Sequence, residues 1–131
     1  MNVAETARKA LAALDKDGWC KGSTKLDNNA RIMFMGTEFI LGTMDGKYPD
    51  GSHCLGGAWN IALHGIHYFL EDPELYEPLV QAILAQYPEV RDHWIRVGKE
   101  PNSGLILHWN DRKETTEADV RAILEKLASD D

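Results

Sequence analysis

Hydrophobic positions along the chain change period several times, and the changes divide it into elements. Val3, Ala7, Leu11 and Leu14 recur at 4-4-3 spacing, the stripe of an amphipathic helix. Asn2 stands where an N-cap belongs, and Gly18 where a left-handed residue stops the helix, which ends by Asp17. Trp19 follows the stop and is expected to fold back onto the core. Gly22-Ser-Thr and Asp27-Asn-Asn are turn chemistry. The short apolar runs Arg31–Met35 and Glu38–Leu41 read as strands or as extended segments laid over the core. Thr43 to Ser52, with two glycines, two aspartates and a proline, reads as a surface loop.

Cys54 to about Leu70 reads as a central helix, apolar on several sides and therefore buried. Asp72-Pro73 has the form of an N-cap followed by proline, opening a helix with the stripe Leu75, Leu79, Ile83 and Tyr87. Pro78 is expected to kink or restart it, and Pro88 to end it. Val90 to Val97 fits a helical turn or a strand, Lys99 to Gly104 a loop, and Leu105 to Leu107 a short buried segment. The clearest helix is the last, with Thr116 as cap, Asp119 three residues on, and the stripe Val120, Ile123, Leu124, Leu127. The topology of residues 20–53 and 88–108 stays open. The fold expected is α+β, mainly helical: a single compact domain over residues 1–131 with a short extended or hairpin segment.

Composition narrows the function. A chain of 131 residues buries more than about 60% of its unfolded surface, enough for a real core. Its 21 acidic residues outweigh 14 basic ones, for a net charge of −7, and the basic residues are spread among acids. A nucleic-acid partner is not expected, because a phosphate backbone calls for clustered positive charge. Gly51 to Leu70 is the only long stretch without Asp, Glu, Lys or Arg, and its histidines and glycines make it too polar to span a bilayer. No membrane association is expected. The beginning of the chain has no apolar signal core, so a cytoplasmic protein is expected. There Cys20 and Cys54 would be reduced thiols.

Three constellations carry candidate chemistry. Cys54 falls at the expected start of a helix, where the partial positive charge favours thiolate. His108 and then Asn110 or Asp111 follow in the chain order of a cysteine hydrolase, but Asn110 is only two residues from His108, whereas such folds draw the third polar group from a separate segment. A packed structural cysteine is the more common case. His64 and His67, three apart, share a face of the expected helix, but His53 would lie roughly 16 Å from His64 along it. No metal and no cofactor are therefore expected. Trp109, Asn110 and Asp111 read first as a junction of buried indole and hydrogen-bonding side chains. Their functional alternative makes Trp109, Asp111 and Arg112 contacts for a ligand.

The motif order resembles an uncharacterised family of small proteins from actinobacteria and their bacteriophages, a domain of unknown function. The resemblance rests on Gly18-Trp19 and Gly22 after the first helix, on Cys54-Leu-Gly-Gly-Ala58, and on Trp109-Asn-Asp111 before the Thr116 helix with Val120 and Leu124. It implies a phage or actinobacterial setting, and no activity, cofactor or catalytic residue. The favoured expectation is thus a non-enzymatic protein that binds another protein, as a phage accessory or host-modulating factor. Cysteine-dependent hydrolysis at Cys54 and small-ligand binding near Cys54 and Trp109 are the alternatives. The partner's identity and self-association into a homo-oligomer stay open.

Overall fold

The first helix, α1 (Val3–Asp17), begins as its sequence dictates: the Asn2 side chain accepts a hydrogen bond from the Glu5 N–H at 2.9 Å. Its buried face is Ala4, Ala7, Ala10, Ala13 and Leu14, with Val3 and Leu11 only partly buried. Small side chains let two neighbouring helices approach closely, and α1 packs against both the last helix and the central one. Gly18 ends it with φ 87° and ψ 166°. That is a positive φ which favours glycine, but not the helical left-handed conformation the sequence suggested.

The computed structural model describes residues 2–21, 31–34, 37–40, 52–65, 67–68 and 73–129. The expected turns at Gly22 and Asp27, the loop from Thr43 to Gly51 and the Asp72 cap lie outside them. Strand β1 (Arg31–Phe34) pairs antiparallel with β2 (Thr37–Ile40), Arg31 opposite Ile40 and Phe34 opposite Thr37. Strand β3 (His67–Tyr68) lies parallel to β1, giving the order β2-β1-β3.

The central helix α2 spans Leu55–His64, shorter than its apolar run. Gly65 takes a left-handed conformation, φ 74°, and its N–H bonds the Ile61 carbonyl at 2.7 Å, which stops the helix. His67 and Tyr68 then turn to strand pairing, so His64 and His67 do not share a helical face. Helix α3 (Pro73–Gln86) runs unbroken through Pro78. Pro78 is the sixth residue of the helix, so it forfeits the backbone bond to the Glu74 carbonyl, yet the helix continues through it. Pro88 does not merely end α3; it opens α4 (Pro88–Arg96) at its first turn, so residues 90–96 are helix and Val97 is its C-cap.

The segment read as a short buried piece is a full helix, α5 (Ser103–Asp111). Asn102 caps it, its side chain accepting from the Gly104 N–H at 2.9 Å. A Cβ at Gly104 would stand 3.1 Å from Asn102 Oδ1 and 3.6 Å from the Trp94 ring, so the glycine marks a close approach rather than a loop. Helix α6 (Glu117–Ser129) closes the fold. Asp119 serves as well as a glutamate in its capping box: its carboxylate accepts from Thr116 N at 3.0 Å, and its own N–H donates to Thr116 Oγ1 at 3.3 Å.

The described residues are mainly helical and surround one core. Trp59 and Trp109 are its largest fully buried side chains, packed with Tyr76, Leu79, Ile83, Leu105, Val120, Ile123 and Leu124. The core is thus assembled from all six helices, first and last included, so neither terminal helix is an appendage. No described helix is long and apolar enough to cross a membrane.

Candidate functional site

Helix α5 organises both regions where polar chemistry gathers, one on each of its faces. The inner face presents Leu105, Ile106, Trp109 and Asn110, all buried. Asn110 is wholly enclosed and uses both ends of its carboxamide. Its Oδ1 accepts from the Trp19 indole N–H at 2.7 Å and from the Leu55 N–H at 3.0 Å. Its Nδ2 donates to the Cys20 carbonyl at 3.2 Å and to Asp111 Oδ1 at 2.9 Å. A buried amide costs free energy unless its donors and acceptors are met, and here four bonds meet them.

That amide joins three pieces of chain. Residues 18–20 and 53 lie side by side as a parallel bridge, Trp19 opposite His53. Cys20 N–H donates to the His53 carbonyl and His53 N–H to the Gly18 carbonyl, both at 2.9 Å. Continued regularly, such a ladder would next bond Leu55 N–H to the Cys20 carbonyl. The Asn110 side chain stands in that rung, accepting from one and donating to the other. His53, itself buried, lies 2.8 Å from an Asp17 carboxylate oxygen. Cys54 is the N-cap of α2, its Sγ accepting from the Gly57 N–H at 3.3 Å, and is 7% exposed. The end of α5 is tied down by Thr115, whose buried hydroxyl donates to the Trp109 carbonyl at 2.7 Å.

The outer face of α5 is built differently. The His108 ring stacks on His93 of α4 with centroids 5.2 Å apart and planes 10° from parallel. It also meets the Trp94 ring at 5.1 Å, and Lys99 Nζ stands 4.9 Å from the centre of that indole. Trp94 is held by its Nε1 donating to the Glu100 carbonyl at 2.7 Å. Burial, then the neighbouring His93, Arg112 and Lys99, hold the His108 pKa below the ordinary 6.5. A hollow of about 430 Å³ opens here, lined by Trp94, Lys99, Gly104, Leu107, His108, Asp111 and Arg112. A second, of about 260 Å³, lies against Glu89, Val90, His93, His108 and Arg112. Arg112 reaches Glu89 at 3.3 Å and lies over the Tyr87 ring.

The residues singled out in the sequence are therefore divided between two places. Cys54 and Asn110 meet at the inner junction, while His108 faces the hollow beside α4. Positions 108 and 110 sit about 200° apart around a helix, so one helix cannot turn both toward the same reacting group. Trp109 is fully buried and packs at 5.2 Å on Tyr87, whereas Asp111 and Arg112 do line the hollow. Sequence reasoning missed His93, Trp94 and Lys99, because residues 90–97 had no assigned helix to place them beside α5. Trp19 was expected to fold back, but nothing in its spacing named Asn110 as the acceptor.

No curated protein and no solved structure matches this chain. A family model does, over residues 1–130, and with the whole fold and both faces of α5 inside that span the chain belongs to a family of unknown function (DUF6197).

Proposed function

We propose that this protein acts by binding another protein, and that the face formed by α4 and the outer side of α5 is where it does so. One observation carries the reading. The large hydrophobic side chains that stand exposed among the described residues are Ile95 (51%), Val97 (52%) and Leu107 (41%). Ile95 is in the last turn of α4, Val97 is its C-cap residue, and Leu107 of α5 lines the hollow together with Trp94 and His108. Scattered exposed apolar residues need no explanation, but a local concentration around a concave aromatic floor is the usual form of a partner site. Lys99, Arg112, Arg91 and Arg96 lie in the same stretch of a chain whose net charge is −7. A partner that seats an apolar side chain in the hollow and offers a carboxylate to Lys99 fits this face. A cytoplasmic accessory or host-modulating role, in the actinobacterial or phage setting that the sequence motifs resemble, is the matching context.

Affinity capture tests this. Wild-type protein and the double variant Ile95→Glu, Leu107→Glu are used in parallel on lysate of the organism that encodes the chain, with circular dichroism to verify folding. A protein retained by wild type and lost with the variant supports the reading. Equal retention by both removes the α4–α5 face from it, and no specific retention by wild type overturns it.

A further inference from the structure

We infer that Cys20 and Cys54 form an oxidisable dithiol pair, a site of reversible disulfide formation that is independent of the α4–α5 face. The bridge between Trp19 and His53 makes the next residues, Cys20 and Cys54, neighbours across a parallel pairing. Paired strands lie about 4.8 Å apart, and side chains alternate, so both cysteines leave on the side opposite Trp19 and His53. A disulfide spans Cα atoms about 4.4–6.8 Å apart, a range that this spacing enters without backbone rearrangement. The carboxamide of Asn110 fills the next rung, between the Leu55 N–H and the Cys20 carbonyl. The two cysteines are not joined by a disulfide in this structure.

The two thiols differ in a way that suits stepwise oxidation. Cys20 is partly exposed, whereas Cys54 is buried and caps α2, where the Gly57 N–H donates to its sulfur. A small hydroperoxide therefore meets Cys20 first. Its terminal oxygen is transferred to the Cys20 sulfur, giving a sulfenic acid and, from hydrogen peroxide, one water. The Cys54 sulfur then attacks the Cys20 sulfur. The S–S bond forms, the S–O bond breaks, and hydroxide leaves with the Cys54 proton as a second water. Two electrons pass from the two thiols to the peroxide, and a dithiol reductant reverses the change by exchange. The product clips the chain leaving α1 to the start of α2.

The test uses the native full chain, fully reduced, then treated with hydrogen peroxide and analysed by intact mass and by a non-reducing proteolytic map. The expected result is a loss of about 2 Da, the two hydrogens given up in forming a disulfide. A single linked peptide should join Cys20 to Cys54, be reversed by dithiothreitol, and be accompanied by a higher melting temperature. Cys54→Ser, which keeps a capping oxygen on α2, should fold normally and leave Cys20 carrying oxygen instead. A wild-type protein that gains oxygen on Cys20 without ever linking to Cys54 would overturn the inference, as would a link that forms only in denaturant.

Discussion

The inner and outer faces of α5 put similar residue types to opposite uses. On the inner face, the Asn110 carboxamide and the Trp19 indole N–H are closed into a junction with partners within the chain, although the buried Trp109 Nε1 beside them has none among the described residues. On the outer face, His108 and Lys99 gather over the buried Trp94 ring, around an open hollow beside the exposed Leu107. A buried, satisfied network of this kind fixes how elements join, and changing it is felt throughout the fold. Cationic and apolar side chains left at an open surface, as Lys99 and Leu107 are, contribute little to folding and are available to something else. Chemistry-bearing residues thus do not by themselves mark a site; their position around the helix decides which role they have.

The largest effect is expected from Asn110→Ala. It strands the buried Leu55 N–H and removes the partner of the half-buried Trp19 indole N–H and Cys20 carbonyl as well, and a buried group left without a partner costs about 1–3 kcal/mol. A loss of about 4 kcal/mol in a urea titration is expected. A loss below about 1 kcal/mol would show that the junction does not hold the fold. Leu124→Ala, emptying a fully buried site in α6, sets the comparison for plain apolar burial at about 3 kcal/mol. Arg121 of the same helix joins Asp15 of α1 at 2.6 Å and Glu117 at 3.4 Å, yet its partners are largely exposed. Arg121→Ala should therefore cost under about 1 kcal/mol in the same titration, and a cost equal to that of Leu124→Ala would misplace the buried stripe.

The outer face should show itself through pH. Because folding holds the His108 pKa below 6.5, the unfolded chain takes up this proton more readily than the folded one. Stability from neutral His108 is then fully present above pH 6.5 and declines as pH falls from there through the lowered folded value, levelling off below it. His108→Gln should remove that share of the decline, seen as a smaller difference between melting temperatures at pH 7.5 and 5.5. An NMR titration giving His108 a pKa above 6.5 would contradict the stacked, partly buried arrangement with His93 and Trp94.

Much of the helical frame was legible because it depends on local signals. Asn2 and Thr116 mark helix starts by their own side chains, and the stripe of α6 coincides with its buried positions. What failed were places where a local rule met a tertiary constraint. Pro101-Asn-Ser-Gly104 has loop composition, yet Asn102 caps α5 and Gly104 lets the Trp94 ring approach. The apolar run after His64 keeps a helical look, yet Gly65 ends the helix and the chain joins a strand. Of the candidate site, Cys54 and Asn110 were named, and so were His108 and Arg112. Their division between two faces was not readable, because it needed α5 to be recognised as a helix.

The division of labour between the two faces is the central claim, and site-specific photo-crosslinking in the cell that encodes the protein tests it most directly. A photoreactive phenylalanine analogue is placed either at position 107 on the outer face of α5 or at position 125, an exposed position on α6. Both variants should melt like wild type, since surface substitutions usually change stability by less than about 0.5 kcal/mol. The account predicts a discrete, reproducible adduct from position 107 and none from position 125. Adducts of equal yield from both positions, or an adduct from position 125 alone, would contradict it.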